Sequence, residues 1–295
     1  MRTVYLGTSE FAAAVLRRLA DSPHRPALVV TRPDRPRGRG RKLAAPPVAE
    51  AARELGIELA QPEIVNDEAA LATIAAARPE AVCVCAFGAL IKEPLLSAYP
   101  MLNVHPSLLP RWRGAAPIER AIMTGDERTG ASIMQLTEGL DSGPVCAQAT
   151  EDIGAEDTYG SLAPRLETLG ADLLVRALGE SPPCVAQDEA LATYAAKITP
   201  EDRLLDPARP AIELERTVRA LTPHIGAHVA LEDGERLGVR QARVLADGAP
   251  PPGELLLDGP VPVLGCAPGA LALVVVQPPG RRTMSGEDYL RGRRG

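Results

Sequence analysis

Three side chains form a set sufficient to move an acyl group: Asn103, His105 and Asp141. They stand in Asn103-Val104-His105-Pro106-Ser107-Leu108-Leu109-Pro110 and in Gly139-Leu140-Asp141-Ser142-Gly143-Pro144. A carboxamide can donate to an oxygen that gathers negative charge, an imidazole can carry a proton, and a carboxylate can hold that imidazole in one state. Asn103 and His105 lie two apart at the end of a predicted strand, so their side chains share one face. Strand ends in open parallel sheets are where ligands bind. Pro106 restricts His105 to extended backbone and thereby fixes the aim of the ring, and the glycines around Asp141 permit a tight turn and close ligand approach. Plainer readings stand beside these. A histidine next to a proline is often only structural, a turn aspartate commonly bonds its own backbone, and sequence separation says nothing about the distance between His105 and Asp141.

A second signal is electrostatic. The net charge is −6, which taken alone argues against a nucleic-acid partner. Yet the stretch from Arg32 to Lys42 holds five arginines and one lysine against one aspartate. Arginine and lysine can meet phosphates, while the interspersed Gly and Pro shape a protruding loop; a solubilising charged loop is the alternative. A weaker cluster closes the chain with Arg281, Arg282, Arg291, Arg293 and Arg294. The single tryptophan, Trp112, stands between Arg111 and Arg113, where the ring could line a pocket or cap a core and the arginines could meet carboxylate or phosphate.

The elements that must position these groups alternate. Short apolar runs at 2–6, 27–31, 57–60, 81–85 and 101–104 read as strands. Helical spacing follows Ser9, a plausible N-cap, and recurs from Pro47 to Leu55 and over 67–77. The alternation is that of a mostly parallel sheet covered on both faces. Gly7 closes the first strand, but the full dinucleotide glycine fingerprint is absent and the residue is read as a turn. Strands are expected at 130–137 and 144–149 around Asp141, and an amphipathic helix over 158–178. From about 181 prolines and short apolar runs suit a small β-rich module, opened by a helix near 211–221. The boundary is set at 203/204, giving domains 1–203 and 204–295. Five cysteines without a second pair or a histidine cluster are read as buried structural thiols, with no metal. Without an eighteen-residue apolar run, and with a start that reads as strand and turn, the chain is expected in the cytoplasm. A monomer is expected because no exposed apolar stripe is evident.

Together these residues resemble the methionyl-tRNA formyltransferases over essentially the whole chain. The resemblance rests on Gly7-Thr8-Ser9-Glu10-Phe11, the basic stretch from Thr31 to Lys42, the Asn103–Pro110 and Gly139–Pro144 motifs, and Arg113-Gly114-Ala115-Ala116-Pro117-Ile118. C-terminal pieces also fit: Tyr194-Ala195-Ala196-Lys197-Ile198, Arg219-Ala220-Leu221-Thr222-Pro223 and the run from Met284 to Gly292. The asparagine, histidine and aspartate motifs belong to the wider folate-dependent formyltransferases; the basic stretch and C-terminal module favour the tRNA-acting members.

The resemblance implies a Rossmann-like α/β domain followed by a small β-barrel domain similar to an oligonucleotide-binding fold. It implies 10-formyltetrahydrofolate as formyl donor and the α-amine of methionine on initiator tRNA as acceptor, with neither a covalent enzyme intermediate nor a metal. Asn103 would donate to the formyl oxygen, His105 would act as electrophile or proton carrier, and Asp141 would orient His105 and help take the amine's proton. The pterin would sit near Phe87, Gly88 and Leu90 and around Asp141, with Ser107, Leu108, Leu109 and Pro110 as pocket wall. Arg35, Arg37, Arg39, Arg41 and Lys42 would enter the acceptor end of the tRNA, and Lys197 would meet a phosphate. A small-amine acceptor, glycinamide ribonucleotide or an amino sugar nucleotide, is the alternative. Two family patterns are missing: a tryptophan after the Lys-Ile segment, where the chain reads Leu204-Leu205-Asp206-Pro207, and an aromatic at His224.

Overall fold

Five-residue apolar runs, each long enough to cross a sheet once and buried on both faces, build the first half of the molecule. The computed structural model describes residues 1–37, 42–231, 234–245 and 249–294. The chain runs β1 (Thr3–Gly7), α1 (Glu10–Ala20), β2 (Pro26–Val30), β3 (Arg35–Arg37), β4 (Lys42–Ala44), α2 (Pro47–Glu54), β5 (Glu58–Ala60), α3 (Glu68–Ala76), β6 (Ala81–Cys85), α4 (Leu95–Ala98), β7 (Met101–His105), β8 (Arg113–Gly114) and α5 (Pro117–Thr124). It continues through β9 (Arg128–Gln135), β10 (Val145–Asp152), α6 (Tyr159–Glu180), β11 (Tyr194–Ala195) and α7 (Ala211–Leu221). Strands β12 (Ala227–Ala230), β13 (Arg236–Leu245), β14 (Leu255–Leu256), β15 (Val263–Gly265), β16 (Ala270–Gln277) and β17 (Met284–Ser285) follow, then α8 (Gly286–Arg294).

The large sheet has the order β10-β9-β7-β6-β1-β2-β5. Strands β5, β2, β1, β6 and β7 are parallel, and β9 pairs antiparallel with β7. From β1 the chain steps outward to β2 and β5, then returns to lay β6 on the other side of β1, which makes β1/β6 the switch point of the sheet. Crevices beyond the carboxyl ends of such strands receive ligands. The Thr8 hydroxyl donates to the Phe87 carbonyl at 2.7 Å, joining the loops that leave β1 and β6. Val4, Leu6, Leu28, Val30, Ile74, Val82, Val84, Phe87 and Met101 share one apolar core. A Cβ on Gly7 would stand 2.8 Å from the Tyr5 ring and 3.0 Å from the Cys85 carbonyl, so close packing requires glycine here.

The expected element set is found with small shifts. Ser9 caps α1 by accepting from the Ala12 amide, Asp67 caps α3 from Ala70, and Pro47 opens α2. Two expectations change. The stretch from Arg32 to Lys42 is more than a loop: β3 and β4 pair antiparallel, Arg35 opposite Ala44 and Arg37 opposite Lys42. Its base is tied down by Gln61, whose amide donates to the Arg32 carbonyl at 3.0 Å and to Asp34 at 2.7 Å. The second change concerns the thiols. Cys83, Cys85 and Cys266 are free and buried, and burial pushes the first two up to about 12, far from thiolate reactivity. Cys146 and Cys184 instead form a disulfide. The reason is local: Val145 and Val185 exchange backbone hydrogen bonds of 2.8 and 2.9 Å, so the next residue on one segment faces the preceding residue on the other, with Cα atoms 3.9 Å apart.

The chain divides into two compact units that interleave in sequence, 1–114 with 129–152 and 163–194, and 115–128 with 153–162 and 195–295. In the second unit, α5 packs on α7, and an antiparallel sheet runs β12-β13-β16-β15-β14 with β17 on β16. Leu205, Leu214, Val218, Leu221, Val229, Leu237, Val239, Leu271, Leu273 and Val276 form its core. Among the described residues, no helix is long and apolar enough to cross a membrane.

Candidate active site

Strand β7 carries Asn103 and ends at His105. Asn103 lies opposite Val84 of β6 and Met134 of β9, and His105 opposite Ser132 of β9. Both are buried. Among the described residues nothing hydrogen-bonds the Asn103 carboxamide, so its two N–H donors are uncommitted. Its polar atoms are not among the fully enclosed unsatisfied ones, which are Thr31 Oγ1 and Thr129 Oγ1 among the described residues, so water reaches the amide and a ligand oxygen can take that water's place.

The His105 ring is held from the loop that follows. Its Nε2 lies 2.8 Å from the Trp112 carbonyl oxygen. A carbonyl can only accept, so Nε2 carries the proton and the neutral ring turns the lone pair of Nδ1 the other way. Nδ1 faces Asp141 Oδ2 at 3.6 Å. That is ion-pair range and too long for a hydrogen bond. The Trp112 carbonyl holds the ring on one side, and Asp141 places a carboxylate oxygen beside Nδ1 on the other.

Backbone strain supports this arrangement. Trp112 has φ +63° and Asp141 φ +46°, both in the left-handed region, which a bulky residue enters only when its surroundings impose it. Trp112 N donates to the Thr193 hydroxyl at 2.9 Å, and Arg111 stacks over the indole at 4.5 Å. The Asp141 carboxylate accepts from the Gly114 amide at 2.8 Å. Gly143, where an added Cβ would meet the Gln135 carbonyl at 1.8 Å, lets the far end of the turn lie flat on β9.

The Ser107–Pro110 segment is pinned by residues outside the motif. Ser132 Oγ donates to the Ser107 carbonyl at 2.6 Å, and Leu109 N donates back to that hydroxyl at 3.2 Å. Gln148 donates to the Leu109 carbonyl at 3.0 Å and to Ser132 at 2.9 Å. Ser107 is fully buried with its hydroxyl on the Arg111 carbonyl, and Phe87 lies in the core; both act within the protein's own packing. Gly88, φ +72°, turns the chain after β6, and Leu90 is exposed. Leu108 and Pro110 are half-buried and Leu109 is buried. Sequence reasoning missed Ser132, Gln148, Thr193 and the Trp112 carbonyl. Each acts through a nonlocal contact or a backbone atom, and neither leaves a motif.

The basic positions are placed as follows. Arg35 is exposed and pairs with Glu63, a contact of little worth to stability at the surface. Lys42 is exposed. Arg37 lies in β3 opposite Lys42; Arg39 and Arg41 lie outside the described residues. Lys197 is exposed. Arg113 is buried, with both terminal nitrogens on Glu189 at 2.8 and 2.7 Å; this pairing raises the guanidinium and lowers the carboxyl. A cavity of about 280 Å³ beside β2, β5 and α3 has Asp67 as its one ionisable lining residue, and Asp67 is spent on capping α3.

Comparisons with known proteins give the family. Residues 1–178 match the formyl transferase family, and residues 197–294 match the formyl transferase C-terminal domain. The methionyl-tRNA formyltransferase of Methylococcus capsulatus is 42% identical over 98% of this chain and 96% of its own, and that of Ruegeria pomeroyi 41% over 99% and 97%. Among solved structures, HypX from Aquifex aeolicus in complex with tetrahydrofolic acid matches 98% of the chain at TM-score 0.65 and 18% identity. The chain spans about half of HypX, 47% of its length. An N-formyltransferase from Helicobacter canadensis gives TM-score 0.67 at 12% identity over 92% of the chain. These two likenesses concern the fold. With both of its domains matched and two relatives above 40% identity along nearly their whole length, the chain belongs to the formyl transferase family.

Proposed function

We propose that this chain is an enzyme that transfers a formyl group from 10-formyltetrahydrofolate to the α-amine of methionine esterified to initiator tRNA. In this reading it serves translation initiation as a cytoplasmic monomer, with residues 1–203 as catalytic domain and 204–295 as tRNA-binding domain. The observation that carries the chemistry is the end of β7: an uncommitted Asn103 amide beside a His105 ring whose tautomer is set and whose free nitrogen faces Asp141. The full-length likeness to methionyl-tRNA formyltransferases carries the choice of acceptor.

The folate cosubstrate supplies a formyl carbon attached to a nitrogen that can leave. The donor set fits it, because a buried amide without a partner and an imidazole with one free lone pair match a carbonyl oxygen and a travelling proton. Asn103 donates to the formyl oxygen as negative charge grows there. His105 Nδ1 takes the proton that the attacking amine must lose, and Asp141 stabilises the resulting imidazolium. The same nitrogen returns that proton to the departing folate nitrogen, so charge balances without a bond to the protein. Gly88, Leu90, Leu108, Leu109 and Pro110 would frame the pterin, with Phe87 and Ser107 buried behind them. Arg35, Arg37, Arg39, Arg41 and Lys42 would meet the acceptor end of the tRNA, with Lys197 on a phosphate.

The test is transfer of labelled formyl from 10-formyltetrahydrofolate, with initiator methionyl-tRNA, elongator methionyl-tRNA, free methionine, glycinamide ribonucleotide and water as competing acceptors. Initiator tRNA is expected to dominate. Transfer chiefly to a small amine or to water would overturn the RNA assignment and leave the formyl chemistry standing.

A further inference from the structure

The turn that carries Asp141 is tied at two of its carbonyls by a group from far along the chain. Gln187 Nε2 donates one hydrogen to the Asp141 carbonyl at 2.8 Å and the other to the Gly143 carbonyl at 2.7 Å. Its Oε1 accepts from Arg113 Nε at 3.0 Å. The orientation of this carboxamide is unambiguous, since the two carbonyls can only accept and the guanidinium can only donate. The base of the Gln187 side chain is equally fixed. Two residues upstream, Val185 is paired with Val145 in both directions, and Cys184 is cross-linked to Cys146.

We infer that Gln187 is a positioning residue for the Asp141 carboxylate. One amide clamps both ends of the three-residue turn at 141–143, holding Asp141 at φ +46°. That backbone state aims Oδ2 at the Gly114 amide and at His105 Nδ1. Arg113 closes the circuit, because it binds Gln187 and Glu189 through its side chain while the next residue, Gly114, supplies the amide that receives Asp141. Without the clamp the turn is free to relax toward negative φ, which swings the carboxylate away from Nδ1. The hydrogen-bond partners of a catalytic group set its geometry in this way even though they touch no substrate.

This inference rests on the proposed catalytic role of Asp141, and the test separates the two. Gln187→Met keeps the length and apolar bulk of the side chain without its donors; Gln187→Glu keeps the acceptor for Arg113 and sets a carboxylate against the two carbonyls. Steady-state kinetics on the full chain would compare both variants with wild type, with Asp141→Asn, and with each Gln187 change in the Asp141→Asn background. Both variants are expected to lose about 10- to 100-fold in kcat, with KM for folate and tRNA within about threefold and thermal unfolding little changed. In the Asp141→Asn background neither change should cost more than about twofold further, because the group being positioned is already impaired. Losses that multiply in the double variants, or losses confined to KM, would overturn the positioning role. Should Gln187→Met fail to fold, Gln187→Glu carries the same kcat and double-variant criteria. If Asp141→Asn alone leaves kcat unchanged, the catalytic reading of Asp141 fails, and the clamp on it fails with it.

Discussion

Two histidines sit in contrasting settings, His105 buried in the first unit and His224 exposed in the second. His105, at the end of β7, has each ring nitrogen assigned: Nε2–H to a strained carbonyl, Nδ1 toward a carboxylate. His224, between α7 and β12, stacks on Tyr159 with ring centroids 3.7 Å apart and bonds Glu119 through Nε2 at 3.0 Å. In the proposed mechanism the first ring is used for its atoms, whereas the second is held in a stack that calls on its shape. A site that moves a proton requires a particular nitrogen at a particular place. A packing site requires a flat group of about the right size, which several side chains supply. The contrast explains how the chain can lack two aromatic patterns of the family it resembles and still keep the architecture. Leu205, in the first divergent segment, lies in the apolar core of the second unit, and His224 performs the stacking at the other position.

The largest effects are expected where atoms matter. His105→Ala should lower kcat by about 10²- to 10⁴-fold, and Asn103→Ala by about 10²- to 10³-fold, with circular dichroism and unfolding midpoint close to wild type. A fall below about tenfold in either would show that the ring or the amide is used for packing after all, and would erase the contrast with His224. The basic stretch from Arg32 to Lys42, proposed to meet the tRNA through its charge, stands between the two cases. Neutralising Arg35, Arg37, Arg39, Arg41 and Lys42 together should raise KM for tRNA at least about tenfold at moderate salt. It should also flatten the plot of log affinity against log salt by up to about 0.9 for each phosphate that the hairpin no longer neutralises. An unchanged salt slope would make the hairpin a bystander.

The contrast also governs what was legible in the sequence. Elements set by local rules were readable: α7 begins and ends where apolar spacing places it, and Ser9 and Pro47 mark helix starts. So was the strand-end placement of Asn103 and His105, because period-two geometry and the carboxyl-end rule act on neighbouring residues. What sequence left dark is nonlocal. Nothing near Asp141 announces Gln187, nothing near Cys146 announces Cys184, and the Trp112 carbonyl that fixes the His105 tautomer is a backbone atom common to every residue. The pairing of Arg35 with Ala44 was hidden for a related reason: prolines and glycines signal breaks in regular structure but not which side of a break pairs with the other.

A third histidine, His228, extends the comparison to pH. It is buried on β12 opposite Gly238, and burial first, then the nearby Arg236 and Arg203, lower its pKa from the usual 6.5. The unfolded chain protonates this ring as pH falls through 6.5, while the folded ring stays neutral to lower pH. Stability is therefore lost from about pH 6.5 downward, at no more than about 1.4 kcal/mol per pH unit, and the loss levels off below the folded value. Denaturant unfolding at pH 7.5 and 5.5 should show a larger acid loss for wild type than for His228→Gln. Equal losses would mean that the ring is free to protonate in the folded protein.

The smallest effect tests the comparison most directly. If His224 is used for shape, His224→Trp should leave the denaturant midpoint within about 0.5 kcal/mol of wild type, because a larger ring extends the stack on Tyr159 while the bond to Glu119 is partly exposed and worth little. His224→Ala should cost about 1 kcal/mol through the missing stack, with formylation kcat unchanged in both variants. The competing possibility is that the hydrogen bond to Glu119, whose side chain is only 12% exposed, outweighs the stack. In that case His224→Gln, which keeps a donor and loses the ring, would be the better tolerated change, and His224→Trp would leave a largely buried carboxylate unpaired. Ranking Trp above Gln would assign the ring to packing; the reverse order would make His224 a residue used for its atoms, like His105.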